Sequence, residues 1–464
     1  MFLKSAVMVP HPPLIIPQVG RGQEKAIEKT TNAYRKAAEL IVSEKPDTVI
    51  VITPHSAMYA DYFHISPGAI AKGSFAQFHA GDVGLEAAYD TAFVTELCRQ
   101  AKAAGLPAGT LGEREKKLDH ASMVPLFFLR DAFGGKLPVK IVRIGLSALP
   151  YADHYRLGML IKDTAQSLQT SIAVIASGDL SHRLKEDGPY GYAKEGPAYD
   201  EKIMDIMGRA AFNELLHFDP DFCESAGECG HRSFVMMAGC FDGIAVQAER
   251  LSYQGPYAVG YGVCTYLPLC EDTSRHFLAT YAEEQKQDLK KRKQSEDAYV
   301  RLARQTLESF VTHGQTIDTP ENLPDELTNR RAGVFVSLKK NGQLRGCIGT
   351  ISATTQSIAL EIMQNAVSAG TQDPRFDPVM SDELDELVYS VDVLGEKEDI
   401  ASPAELDVKR YGVIVSAGHK RGLLLPNLPG IDTAGHQIDI AKQKAGIREN
   451  EKVTLQRFEV VRHH

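Results

Sequence analysis

The chain has 464 residues, more than one ordinary domain, so two domains are expected. Its content of 43% hydrophobic and 24% charged residues is typical of a soluble globular protein, and the net charge of −9 argues against a nucleic-acid partner. No apolar run approaches the ~20 residues of a membrane span, no signal peptide is recognised, and seven cysteines indicate no disulfide framework, so we expect a cytoplasmic protein without a membrane partner.

The first part of the chain alternates β-branched runs with helical stretches. The predicted strands are residues 5–10, 47–53, 138–145 and 171–176, followed by closing strands at 246–251 and 257–267. The predicted helices are residues 24–43, 85–104, 151–167, 198–216 and 231–241. This alternation predicts an α/β domain with a mostly parallel central sheet.

Three histidines lie a short distance past predicted strands. His11 precedes two prolines, His55 follows Pro54, and His182 ends the segment SGDLSH. Ligands of parallel sheets bind beyond the carboxyl ends of the strands, so these histidines are expected at one edge. Glu228, in the segment AGECGHRSF, adds a carboxylate to this group. Two histidines and one carboxylate form the ligand set of non-haem Fe(II) oxygenases.

Each of these residues also has an alternative interpretation. His11 and His55 would be exposed loop residues if each stood alone, and Glu228 would be a carboxylate placed favourably at a helix N-terminus. Cys229 and His231 are neighbouring competitors for a ligand role.

Two further groups flank these histidines. Asp119 and His120 precede an apolar helix, where Asp119 would act as N-cap and His120 as a first-turn residue or a second acid–base group. Asp179 lies three residues before His182 and would hold it in one tautomer, as general acid–base chemistry near neutral pH requires.

Five segments of the first part together resemble the class III extradiol ring-cleavage dioxygenases and their Memo-like relatives: HPPLIIPQVG, ITPHS, LDHASMVPL, SGDLSH and GECGHRS. The resemblance covers about residues 1–270 and is to the catalytic subunit, similar to the B subunit of protocatechuate 4,5-dioxygenase. It implies that His11, His55 and Glu228 hold Fe(II), that His182 is the acid–base residue, and that His120 is a further catalytic histidine. Zn, Mn or Cu would also suit these ligands.

Composition changes at residues 283–297, EEQKQDLKKRKQSED, where Leu289 is the one apolar residue. We therefore predict domains at 1–275 and 296–464, joined by a polar linker or helix at 276–295. Beyond it lie predicted strands at 333–338, 388–394 and 412–416, a turn at Asn341-Gly342, and helices at about 298–311, 357–369 and 438–445. This mixture predicts a smaller α+β domain.

The segments LRGCIG, DPRF and GLLLP resemble the AMMECR1 family over about residues 296–464. Cys347 lies in a predicted loop near Arg345, which would lower its thiol pKa and make it a nucleophile or ligand. The alternative is a small, packed structural cysteine. A fusion of these two domains resembles the AmmeMemoRadiSam group, which implies a radical SAM protein as a partner.

The sequence therefore predicts an enzyme that opens the ring of a catechol-type aromatic substrate with O2, with Gln77, Phe78 and Tyr190 as candidate substrate contacts. One alternative is a Memo-like enzyme whose metal acts without O2, as a hydrolase or lyase. Another is a metal-binding adaptor that works with the radical SAM partner. A homo-oligomer is left open.

Overall fold

A computed structural model describes residues 1–340, 342–428, 430–448 and 450–464. The chain forms two compact units, Met1–Glu283 and Glu284–His464. Asn341, for which the sequence predicts a turn, lies outside the described residues. No helix in the described part of the chain is both long and apolar enough to cross a membrane.

The first unit is built on a six-stranded sheet, accompanied by two small two-stranded sheets, β3-β6 and β4-β5. The strands of the unit are β1 (Leu3–Val9), β2 (Thr48–Thr53), β3 (Phe63–His64), β4 (Ile70–Phe75), β5 (Ala80–Ala88), β6 (Ala108–Gly109), β7 (Lys140–Gly145), β8 (Ile172–Ser177), β9 (Ile244–Gln254) and β10 (Tyr261–Glu271). The sheet order is β7-β2-β8-β1-β10-β9, in which the first four strands are parallel and the last two pair antiparallel. The sheet is therefore mixed and mostly parallel.

Helices cover both faces of this sheet. They are α1 (Pro17–Gly20), α2 (Glu28–Ser43), α3 (Thr91–Ala103), α4 (His120–Ala132), α5 (Tyr151–Leu168), α6 (Glu195–Arg209), α7 (Pro220–Ala226) and α8 (His231–Gly239). A further helix, α9 (Phe277–Ser295), follows the last strand and contains the boundary between the two units. Ile50 and Ile52 of β2 face the core shared with α3, α5, α6 and α8. Val49 and Val51 face the opposite core, shared with α2 and α4. Because both faces are covered, the central strands read as continuous apolar runs.

The helix predicted at residues 85–104 is wrong in its first part. Residues up to Ala88 belong to β5, which pairs with β4 as an antiparallel hairpin, and the helix starts at Thr91. Residues 83–87 alternate between buried and exposed, which is the period of a strand. Asp90 then caps the helix by accepting the Phe93 N–H.

The second unit contains two antiparallel four-stranded sheets. Its helices are α10 (Ala298–His313), α11 (Asp325–Asn329), α12 (Ile358–Thr371) and α13 (Ala434–Lys444). Its strands are β11 (Val334–Lys340), β12 (Gln343–Gly349), β13 (Leu387–Leu394), β14 (Glu398–Ile400), β15 (Gly412–Ala417), β16 (Lys420–Leu424), β17 (Thr454–Phe458) and β18 (Val460–His463). The sheet orders are β12-β11-β13-β18 and β14-β17-β15-β16.

The first of these sheets packs against α10 and α12, and the second packs against α13. Cys347, predicted to lie in a loop, is instead in β12, an edge strand paired with β11. The polar stretch at residues 283–297 falls largely within α9, a helix with no buried residue.

Candidate metal centre

Three histidines meet where β1 and β2 end and α4 begins. His11 follows β1, His55 follows β2, and His120 is the first residue of α4. One ring nitrogen of each lies within 4.8 Å of the other two. Because β1 and β2 are both parallel to β8, their carboxyl ends open onto the same edge of the sheet. The fold thus assembles a cluster from residues that lie far apart in sequence.

The rings of the histidine cluster are closely arranged. His11 Nε2 and His55 Nε2 are 3.1 Å apart, and the His55 and His120 rings stack with centroids separated by 4.5 Å. His11 is buried, His120 is half-buried and His55 is exposed. The cluster therefore extends from the buried core at His11 to solvent at His55.

Hydrogen bonds select the tautomer of His11. The Ser177 hydroxyl donates to the Ala121 carbonyl at 2.7 Å, so its oxygen accepts from His11 Nδ1 at 3.0 Å. This leaves Nε2 unprotonated and directed at His55. A histidine whose other nitrogen is held by a hydrogen bond is the usual form of a metal ligand.

The environment keeps these imidazoles neutral. Burial and the neighbouring histidines hold the pKa of His11 well below its usual value. Desolvation of the His55 ring by the surrounding protein, with a further contribution from His120, lowers the pKa of His55 to about 4, although the residue stays exposed on one side. Burial also lowers the pKa of His120. Three lone pairs are thus available near neutral pH, and this donor set fits a divalent metal.

His182 lies beside the cluster and is oriented by the backbone. Its Nδ1 donates to the Gly227 carbonyl at 2.7 Å, so the expectation that Asp179 fixes its tautomer is wrong. A carbonyl oxygen accepts only, which leaves His182 Nε2 unprotonated, 4.0 Å from Asp179 Oδ2. Burial lowers the pKa of His182. His182 is thus set to accept a proton.

Asp179 connects His182 to the cluster. Its Oδ1 accepts the backbone N–H of His11 at 2.7 Å, and its Oδ2 lies 3.9 Å from His11 Nε2. Burial raises the pKa of Asp179 to about 7. This carboxyl group is therefore tied to the chain that carries His11, a role that its spacing from His182 did not suggest.

Glu228 is not part of the group of three histidines. Its carboxylate accepts the His231 N–H at the start of α8, and burial raises its pKa to about 7. Cys229 points into the site instead, with its Sγ 3.5 Å from His11 Nε2. The imidazole of His231 is occupied elsewhere, because its Nε2 donates to the Leu215 carbonyl at 3.1 Å.

A close backbone crossing places Cys229. A Cβ atom added to Gly178 would lie 2.2 Å from the Cα of Gly230, so the two loops touch where both residues are glycine. The Asp179 N–H then donates to Cys229 Sγ at 3.3 Å. The absence of a side chain at Gly178 thus permits close approach of a distant segment.

Two of the three candidate substrate contacts are aromatic and lie beside the site. Phe78, which precedes β5, lies edge-on to His120 with centroids 5.6 Å apart. Tyr190 is 64% exposed and lies edge-on to His182 at 5.5 Å. Gln77 is exposed on the turn that carries Phe78.

In the second unit, side chains of the DPRF segment form hydrogen bonds with the backbone of the LRGCIG segment. The Cys347 N–H donates to Asp373 Oδ2 at 2.9 Å, and Arg375 donates to the Cys347 carbonyl at 3.2 Å. Asp373 and Arg375 also pair at 2.6 Å. These side chains therefore occupy the hydrogen-bonding groups of an edge strand, as a further strand would.

The thiol of Cys347 accepts from the Ser337 hydroxyl at 3.2 Å. Arg345, expected to act on this thiol, donates two hydrogen bonds to Glu383, at 2.9 and 2.8 Å. The Arg345 guanidinium lowers the pKa of Glu383 to about 2, and Arg375 holds the pKa of Asp373 far below its usual value.

Known families match both units. Residues 5–264 match the model of the catalytic LigB subunit of aromatic ring-opening dioxygenase, and residues 300–463 match that of AMMECR1. A protein of Clostridium acetobutylicum is 41% identical over an alignment that covers 100% of this chain and 99% of the relative. A Thermotoga maritima protein is 51% identical over 36% of this chain and 98% of its own length.

Two solved structures are also similar. Uncharacterized protein PH0010 from Pyrococcus horikoshii shares 32% identity with a TM-score of 0.33, covering 35% of this chain and 88% of its own. Uncharacterized protein JW3007 from Escherichia coli K12 shares 15% identity with a TM-score of 0.37, covering 56% and 99%.

Proposed function

The chain belongs to the family of the catalytic LigB subunit of aromatic ring-opening dioxygenases, here carrying a C-terminal AMMECR1 domain, and on this premise we propose that it is a metal-dependent enzyme acting on a small aromatic diol. The observation that carries the proposal is the meeting of three neutral imidazoles at an open edge of the sheet. His11, His55 and His120 hold the metal.

Fe(II), when bound, would supply open coordination positions at which a catechol-type diol and O2 meet. The residues of the chain do the rest. His182 Nε2, unprotonated because Nδ1 donates to Gly227, accepts a phenolic proton of the diol and later returns it. Phe78, beside His120, and Tyr190, beside His182, contact the aromatic ring of the substrate.

A second candidate function is metal-dependent chemistry without O2, such as hydrolysis or lyase action. The thiol of Cys229, 3.5 Å from His11 Nε2, favours it, because a thiolate ligand suits Zn or Cu better than the harder metals. In that case the same His182 would activate water or take a proton from the substrate.

The test is purification without oxygen, measurement of bound metal, and incubation of the Fe(II)-loaded protein with catechol in the presence and absence of O2. Oxygen uptake with formation of a yellow ring-opened semialdehyde is the expected result. Stoichiometric metal with no oxygen uptake would favour the second candidate. A correctly folded protein that takes up no divalent metal would refute both.

A further inference from the structure

Hydrogen bonds through one threonine and one aspartate connect two segments of the histidine cluster. Thr53, the last residue of β2, donates from its hydroxyl to Asp119 Oδ1 at 2.7 Å. The same Thr53 oxygen accepts the backbone N–H of His55 at 3.2 Å. Asp119 immediately precedes His120. A chain of two hydrogen bonds therefore links the segment that carries His55 to the segment that carries His120.

Asp119 is held firmly at this position. As the N-cap of α4 it accepts the backbone N–H of Ser122 at 2.9 Å, and its other oxygen accepts the Ser122 hydroxyl at 2.9 Å. The guanidinium of Arg143 lies 3.8 Å from Asp119 Oδ2. An N-cap alone requires only the contact to the helix, so the additional contact to Thr53 calls for another explanation.

Arg143 anchors the loop before His120 to the sheet. It lies in β7, is 1% exposed, and donates to the carbonyls of Lys117 and Glu115 at 2.7 and 3.0 Å and to the Ser66 hydroxyl at 2.6 Å. Because a buried guanidinium satisfied in this way cannot shift cheaply, the position of Asp119 is fixed relative to β2 and β7.

We propose that Thr53 and Asp119 are positioning residues that set the spacing of His55 and His120 for metal binding. This inference rests on the proposed metal site. Groups that orient the ligands of a metal usually contribute 10–100-fold to its affinity, roughly, because misdirected ligands must reorganise on binding. The contacts of Thr53 and Asp119 act on two ligands at once.

The chain contains a matched control at the other end of β2. Thr48 donates from its hydroxyl to Asp90 Oδ2 at 2.6 Å, and Asp90 caps α3 just as Asp119 caps α4. Thr48 and Thr53 are both fully buried on the same strand. Replacing either threonine with valine removes a hydrogen bond from its hydroxyl to a helix-capping aspartate at nearly constant volume. Only the Thr53 replacement also removes the acceptor for the N–H of a cluster histidine, His55.

The experiment compares T53V, T53S, T48V and wild type as full-length proteins titrated with Co²⁺, whose visible bands report ligand geometry. T53V is expected to lose roughly 10–100-fold in affinity and to change the spectrum. T53S, which keeps the hydroxyl, and T48V are expected to match wild type. D119A and D90A form a second matched pair, because each removes the acceptor of a threonine hydroxyl together with a helix cap, and D119A alone is expected to weaken binding.

Equal affinity and an unchanged spectrum in T53V would overturn the inference, as would an equal loss in T48V. Histidine ring resonances in metal-free, histidine-labelled protein decide the question independently. T53V should shift those of His55 and His120, and T48V should leave them in place. If wild type binds no Co²⁺, the proposed metal site fails, while unmoved ring resonances in T53V refute the positioning role itself.

Discussion

In the first unit, three histidine ring nitrogens lie close together, and desolvation keeps the rings neutral. In the second unit, the charged groups around Cys347 instead pair with one another or with the backbone. The pKa shifts follow the same division. Burial raises the pKa of Asp179 to about 7, while ion pairing lowers that of Glu383 to about 2.

This difference teaches how a reactive site is distinguished from a structural one. Loss of solvation without a compensating charge leaves a group ready to bind a ligand or exchange a proton. A charged group that already has its partner stabilises the fold. On this basis we assign the proposed chemistry to the first unit, and we expect the Asp373–Arg375 pair on β12 to contribute to stability.

The largest effect is expected from the double substitution His11→Ala/His55→Ala. Removal of two of the three clustered nitrogens should reduce bound divalent metal from about one equivalent to none while the fold is kept. Metal analysis and circular dichroism measure the two outcomes. A folded double variant that still holds stoichiometric metal would place the metal centre elsewhere and break the comparison.

His182→Gln is expected to separate catalysis from binding. His182 lies outside the three-histidine group, so metal content should be unchanged, while turnover should fall by roughly 10²–10⁴-fold because the proton acceptor is lost. The assay is oxygen uptake with catechol beside metal analysis. Parallel loss of metal and activity would make His182 a ligand.

The third prediction concerns which residue completes the metal centre. The resemblance implies Glu228, whereas the geometry groups His120 with His11 and His55. We expect His120→Ala to weaken metal affinity at least about tenfold and Glu228→Gln to leave it near wild type. Isothermal titration of the metal-free proteins decides between them, and the reverse pattern would restore Glu228 as the ligand.

In the second unit, Asp373→Ala should destabilise β12. It leaves the Cys347 N–H and the Arg375 guanidinium without their acceptor, at a cost of about 1–3 kcal/mol. Hydrogen exchange of β12 amides in the full chain should become faster, while metal binding in the first unit stays constant. Cys347→Ser is the control, because it keeps the backbone contacts. A loss of activity in full-length Cys347→Ser, with unchanged amide exchange in β12, would instead indicate a reactive thiol.

The smallest effect expected is a dependence on pH in the same region. The folded pKa of Glu383 is about 2, against a usual value of 4.5. Because a depressed pKa stabilises the fold when the group is charged, that contribution is complete above pH 4.5 and is lost as pH falls toward 2. The protection of neighbouring amides, which is their exchange rate relative to the intrinsic rate at each pH, should fall over this window, and Glu383→Gln should remove that part of the pH dependence.

Local pattern was sufficient for most of the scaffold. The continuous apolar runs before His11 and His55 predicted β1 and β2, and the spacing of apolar residues after Asp297 predicted α10. Asp119 was expected to cap a helix, and it does. These features depend on periodicity and on capping chemistry, which act over a few residues and are therefore written in the sequence.

Tertiary structure decided which side chains reach the cluster. Whether Glu228 or its neighbour Cys229 faces His11 depends on the crossing of Gly178 and Gly230, which lie in segments about fifty residues apart. Whether Arg345 or Arg375 contacts Cys347 depends on how the segment after α12 returns to the edge of β12. Side-chain direction at such contacts follows from packing between distant elements, and no local pattern encodes it.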